Sequence, residues 1–247
     1  MSSLGPRGGA TPENVEIAQE KPSISRNWLV MGLIFLAVFL LVTVFVISNV
    51  TQSLDAKVAL IINNTSIGST LNSLLIFASE YGREYFWIPV VGLMLIFGKR
   101  ETKALAIELA ALFIAGIIAG EAMKLVMYRA RPFETVTGII TRVPTDTDSS
   151  YPSGHAIIVS IGAIFSLVKF RKKSVALLLA LEAAIVCYSR VYIGMHYPLD
   201  VISGIFLGGF TVFVGVFVLE RNPYLKKLMD AFTNIAIKIL RSGLVSI

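Results

Sequence analysis

Residues 174–219 read SVALLLALEAAIVCYSRVYIGMHYPLDVISGIFLGGFTVFVGVFVL. The runs 174–195 and 198–219 each match the roughly 17–25 apolar residues that a helix needs to cross a bilayer. Ser189-Arg190, His196, Pro198 and Asp200 crowd the junction between them. In hydrocarbon every backbone N–H and C=O must be satisfied within its own segment, so such runs predict helices rather than an open sheet. Charged and reactive side chains gathered where two spans meet mark a site at a membrane–water boundary.

Four further apolar runs, 28–49, 81–98, 104–128 and 154–168, complete the pattern. The expected fold is all-α, a polytopic membrane helix bundle of about six transmembrane helices. The second and fourth runs are short and need their flanks. The stretch 55–78 is interrupted by Asn63, Asn64 and Gly68 and reads as an interfacial or re-entrant piece. The chain then divides into a polar, disordered N-terminal tail (1–26), a six-span membrane domain (27–222) and a C-terminal segment (223–247). The run after the tail is too long for a signal-peptide core and lacks a small-residue cleavage site, so it is expected to stay. In the C-terminal segment, Leu225, Leu228, Phe232, Ile235 and Ile239 alternate with Lys226, Lys227, Lys238 and Arg241. That spacing suits a basic amphipathic helix lying on the membrane surface, or one docked on the bundle.

Of the 247 residues, 55% are hydrophobic and only 15% charged, against about a quarter charged in an ordinary soluble domain. The net charge of +6 does not point to nucleic acid, because most cations fall in short loops between apolar runs. Lys99, Arg100 and Lys103, then Lys169 and Arg171-Lys172-Lys173, with Arg26 and Arg221, mark one face as cytoplasmic, so both termini are expected inside. The other face holds the loops 50–80, 129–153 and 195–198. There Arg129, Arg131 and Arg142 run against the charge bias, which gives them another purpose. Asn49-Val50-Thr51, Asn63-Asn64-Thr65 and Asn64-Thr65-Ser66 on that face match the N-glycosylation acceptor pattern. The single cysteine, Cys187, lies in an apolar run and reads as a packed thiol.

The chain contains two histidines, and each keeps company suited to phosphate. Lys124 and Arg131-Pro132 place two cations near the outer end of the third span, where an anion at the bilayer surface would meet them; snorkelling to the interface is the plainer alternative. Glu121, one turn before Lys124, is in reach to pair with it. Pro152-Ser153-Gly154-His155 opens the fourth span. Free backbone N–H groups at a helix start, with a glycine that lets a ligand approach, make an anion site. In the third cluster, Asp200 falls in the first turn of the last span and can accept a hydrogen bond from His196. That would fix the tautomer and leave the other ring nitrogen free as a nucleophile. Arg190 adds a planar fork for phosphate oxygens.

Together these residues resemble the three-part pattern of the type 2 phosphatidic acid phosphatase superfamily, whose site is shared with soluble bacterial acid phosphatases and vanadium haloperoxidases. Every fixed position is met, and the resemblance covers about residues 80–220. It implies a membrane phosphatase in which His196 is the nucleophile that becomes phosphohistidine, Asp200 its orienting partner and His155 the general acid. Lys124, Arg131, Ser153, Gly154 and Arg190 would bind the substrate phosphate. Phosphoryl transfer depends largely on positioning and on stabilising the equatorial oxygens, which cations and backbone donors can do without a metal. No metal site and no cofactor are expected; the close acids Asp146 and Asp148 read as a solvated loop. The expected partner is a membrane lipid phosphate, a polyprenyl diphosphate first, with phosphatidic acid or phosphatidylglycerol phosphate as other candidates. A lipid phosphotransferase and an anion transporter are the rival readings. Neutral His196 and cationic His155 together require a bell-shaped pH dependence.

Overall fold

The computed structural model describes residues 24–245, and the expected disordered tail lies almost wholly outside them. Ten helices follow one another: α1 (Ile24–Ile47), α2 (Gln52–Asn63), α3 (Gly68–Tyr81), α4 (Glu84–Phe97), α5 (Arg100–Val126), the single turn α6 (Pro132–Thr135), α7 (Gly154–Lys169), α8 (Lys173–Tyr192), α9 (Pro198–Arg221) and α10 (Pro223–Val245). Among the described residues there is no strand. The first helix includes residues 24–26, ahead of the apolar span that begins at Asn27.

Helices α1, α5, α8 and α9 are long and apolar enough to cross a membrane. Helices α4 and α7, with 14 and 16 residues, are shorter apolar helices at the positions of the second and fourth expected spans. At 1.5 Å per residue they reach about 21 and 24 Å, short of the roughly 30 Å hydrocarbon core. The stretch 55–78 forms two helices, α2 and α3, separated at 64–67. Asn63 is no surface acceptor: its side chain is buried, donates to the Ile140 and Tyr192 carbonyls at 2.9 and 2.8 Å, and accepts from the Ile140 N–H.

Helix α7 is the centre of the bundle, packed against α5, α8 and α9. It is apolar on nearly every side, with Ile157, Ile161 and Phe165 fully buried, as a core helix must be. Between helices in lipid the hydrophobic effect supplies little, so close van der Waals approach has to hold them together. Gly204 and Gly208 on α9 permit it. A Cβ at Gly204 would lie 2.7 Å from the Ser153 carbonyl oxygen, and one at Gly208 would lie 2.8 Å from that of Ile157. The outward sides of α1, α4 and α8 expose Leu40, Val44, Ile88, Leu177 and Leu181.

The bundle has two unlike ends. At one, Lys169 pairs with Glu220 at 3.2 Å and approaches Glu108, while Arg171 meets Glu101. At the other, the C-termini of α5 and α8 meet the N-termini of α7 and α9, with α2 and α3 packed against α8 beside them. Helix α10 packs on α5 and α9, the docked arrangement, yet Leu228, Phe232, Ile235 and Ile239 stay exposed along it. Both carboxylate oxygens of Glu182 on α8 are buried without a hydrogen bond, and nothing in the structure explains it.

Candidate active site

Each cluster reaches the same place because four helix ends converge there. The C-terminal turn of α5 delivers Lys124, and the chain leaving it carries Arg129 and Arg131. Ser153 caps α7, its hydroxyl accepting from the Ala156 N–H, and so presents Gly154 and His155 in the first turn. Arg190 lies in the last turn of α8, and its carbonyl accepts from the N–H groups of Met195 and His196, turning the chain back at once. Gly194 makes that turn with φ +84°, and a Cβ there would press on Ile139 at 2.8 Å.

His196 is buried, and its Nδ1 lies 2.8 Å from the Ser150 carbonyl oxygen. A carbonyl can only accept, so Nδ1 carries the proton and Nε2 holds a free lone pair. The hydrogen bond expected from His196 to Asp200 is not made. The Asp200 carboxylate lies 3.6 Å from Nδ1, near enough to act on the ring by its charge, and its oxygens accept from other donors. One accepts from Arg129 at 2.5 Å and the other from the Tyr197 N–H at 2.8 Å. Arg129 in turn donates to Asp55 on α2 at 2.7 Å and to Gln52 at 3.0 Å, with its guanidinium over the Tyr197 ring. Asp55, Arg129 and Asp200 thus form a buried chain of alternating charge behind the imidazole. Burial, followed by the Arg190 and Arg131 cations, pushes the His196 ring well below the ordinary histidine range.

The imidazole faces a polar cavity of about 540 Å³, whose walls include His155, Gly154, Lys124, Arg131, Arg190 and Arg83. Lys124 and Arg131 of the first cluster, His155 of the second and Arg190 of the third therefore share one cavity with His196. Arg190 is buried, donates to the Ser79 hydroxyl at 2.8 Å and has a buried Nε with no protein partner. Such an orphan donor suits an anion oxygen. Ser153 and Asp200 are fully buried and stand behind the cavity wall.

Asp146 and Asp148 are exposed, as expected of acids in a solvated loop, and they also line this cavity. Asp148 accepts from Lys124 at 2.6 Å and from Arg131, and Asp146 lies 3.4 Å from Arg131 and 4.0 Å from Arg190. Burial alone would raise the Asp148 carboxyl, but the bonds from Lys124 and Arg131 outweigh it and draw it down to about 2. Two carboxylates thus engage the same cations that suit phosphate. Their loop is held from behind by Arg142, which donates to the carbonyls of Tyr192 and Asn63 at 2.9 and 2.7 Å.

All three arginines that opposed the charge bias now have a purpose. Arg129 and Arg142 build the wall, and Arg131 faces the cavity. Sequence reasoning missed Asp55, Ser79, Ser150 and Arg83. The anomaly of Arg129 was a usable signal. A backbone carbonyl such as that of Ser150 leaves no mark in a sequence.

Known proteins are similar to this chain. A family model described as the PAP2 superfamily matches residues 104–223. An undecaprenyl-diphosphatase of Sulfolobus acidocaldarius is 42% identical over 196 residues, covering 78% of this chain and 93% of that protein. The undecaprenyl-diphosphatase BcrC of Bacillus subtilis is 25% identical over 170 residues, 68% of this chain and 83% of its own. Among solved structures, a transmembrane PAP2-type phosphatidylglycerolphosphate phosphatase from Bacillus subtilis superposes with a TM-score of 0.65 at 21% identity, over 78% of this chain and 97% of that one. LpxE of Aquifex aeolicus does so with 0.54 at 24%, over 67% and 94%. At those identities the superpositions speak to the fold, and the Sulfolobus relative carries the kinship: the chain belongs to the PAP2 superfamily.

Proposed function

We propose that this multi-pass membrane phosphatase hydrolyses a polyprenyl diphosphate, releasing its terminal phosphate through a phosphohistidine on His196. One observation carries the reading. His196 has its Nδ1 proton committed to the Ser150 carbonyl and faces a cavity in which Lys124, Arg131 and Arg190 converge. Its Nε2 attacks the terminal phosphorus as the bond to the bridging oxygen breaks. His155 protonates that oxygen; water then cleaves the N–P bond, giving a proton back to His155 and returning neutral His196 and inorganic phosphate. The three cations and the Gly154 backbone hold the equatorial oxygens. Asp200 acts from 3.6 Å, its negative charge favouring the ring cation that forms during attack. The substrate class follows the two undecaprenyl-diphosphatases among the relatives.

In this reading six helices (α1, α4, α5, α7, α8 and α9) cross the bilayer, with both termini in the cytoplasm. The basic loops lie at one end of the bundle and the cavity at the other, which supports an extracytoplasmic site. The test is phosphate release by the purified protein from a panel of lipid mono- and diphosphates, with and without chelator. Rapid release from a polyprenyl diphosphate that EDTA leaves intact and orthovanadate inhibits is expected. Turnover confined to glycerolipid phosphates would redirect the substrate assignment, and a full loss in EDTA would defeat the metal-free mechanism.

The pH profile is a separate prediction. The attacking ring must be neutral, and its proton affinity is lowered by burial and the neighbouring arginines. Its neutral form therefore persists to lower pH than that of a free histidine, near 6.5. The acid limb of kcat/KM, corrected for titration of the substrate phosphate, is expected below about 6.5. A limb at or above that value contradicts the assignment.

A further inference from the structure

Among the described residues, Arg83 is the one cavity-lining arginine or lysine that belongs to none of the three clusters. It occupies the turn between α3 and α4, and its sequence gave no hint of a role in the site. A Cβ placed on Gly154 would lie 3.3 Å from the Arg83 guanidinium and 3.9 Å from the Lys124 ammonium. Arg83 and Lys124 therefore both stand at the first turn of α7, against the glycine that precedes His155. Its carboxylate partner is the adjacent Glu84, whose side chain is 48% exposed, and its buried Nε has no protein partner.

The position of Arg83 along the ligand path is as informative as its charge. It borders the polar cavity, and it also borders an apolar groove of about 260 Å³ formed by Trp87, Ile88, Phe113, Ile114 and Ile117 on α4 and α5. An amphiphile with its terminal phosphate at His196 and its hydrocarbon along this groove passes Arg83 at the polar–apolar junction. In a lipid monophosphate that point holds only the ester oxygen. In a diphosphate it holds a second phosphoryl group and one more negative charge.

We infer that Arg83 binds the lipid-proximal phosphoryl group of a diphosphate substrate and so makes the site prefer diphosphates over monophosphates. The inference rests on the phosphatase function proposed above and names the residue that would set its specificity. As His196 Nε2 bonds to the terminal phosphorus, the electron pair of the breaking P–O bond passes to the bridging oxygen. That oxygen stays on the lipid monophosphate, whose growing charge Arg83 neutralises beside the proton given by His155. With a monophosphate ester the electron pair goes to an alkoxide, and Arg83 has no second phosphate to hold.

The test compares a polyprenyl diphosphate with the same polyprenyl monophosphate, using wild type, Arg83→Gln and Arg83→Lys. Loss of one charge-assisted contact predicts a fall in kcat/KM of about 10- to 100-fold on the diphosphate for Arg83→Gln. On the monophosphate the same preparation is expected to lose no more than about 3-fold, so the second substrate reports whether the variant is folded. Arg83→Lys, which keeps the charge, is expected to recover most of the diphosphate activity. Equal losses on both substrates, or no loss on the diphosphate, overturn the role of Arg83. A wild-type protein that releases phosphate from neither substrate overturns the phosphatase reading beneath it.

Discussion

Purified His196→Ala protein is expected to lose at least about 10⁴-fold of its phosphate release from every lipid phosphate, because removing the nucleophile of a coupled catalytic unit costs on that scale. The loss will be in kcat. Lys124, Arg131 and Arg190 are placed by α5, by the 127–132 segment and by α8, not by the imidazole. They can still hold a phosphate, so lipid phosphate binding should persist while turnover stops. His155→Ala should behave differently. Attack can still occur, and the deficit will be largest for substrates whose leaving oxygen most needs a proton. A His196→Ala protein that hydrolyses at the native rate removes the phosphohistidine step altogether.

The second large effect is structural. Arg129 is buried between Asp55 and Asp200, with donors 2.7 and 2.5 Å from them. Arg129→Met leaves two buried carboxylates facing each other without their shared cation. Breaking a buried ion pair on one side typically costs about 3–5 kcal/mol. The expected result is a loss of stability on that scale in detergent, read by thermal or denaturant unfolding, together with a fall in activity as Asp200 is released behind His196. Pairing the change with Asp55→Leu should restore part of the stability, since one buried carboxylate, Asp200, then lacks its cation instead of two. A loss below about 1 kcal/mol for Arg129→Met would mean that the chain of charges does not hold α2, the 127–132 segment and α9 together.

Some of this was readable in the sequence for a physical reason. Hydrocarbon imposes length and apolarity on anything that crosses it, so the runs that became α1, α5, α8 and α9 stand out by composition alone. Phosphate chemistry likewise concentrates a few residue types, and Lys124, Arg131, His155, Arg190 and His196 did arrive at one cavity. What escaped was set by three-dimensional pairing. Asp55 and Ser79 sit on α2 and α3, amphipathic helices too polar to register as spans. They matter only because the fold carries them to Arg129 and Arg190. Asp146 and Asp148 were legible as exposed loop acids, but nothing local shows that they also line the cavity. Asp200 was sound as a neighbour of His196 but not as its hydrogen-bond acceptor. Spacing alone does not reveal that Arg129 and the Tyr197 N–H occupy its oxygens.

The central claim is a covalent bond between His196 Nε2 and phosphorus. It is tested most directly by rapid quenching of the enzyme with a polyprenyl diphosphate radiolabelled in its terminal phosphoryl group, followed by recovery of the protein. The account predicts a label on wild-type protein that is stable in alkali, lost in acid and absent from His196→Ala. A wild-type protein that turns over substrate yet carries no such label, or a label that survives in His196→Ala, would contradict it.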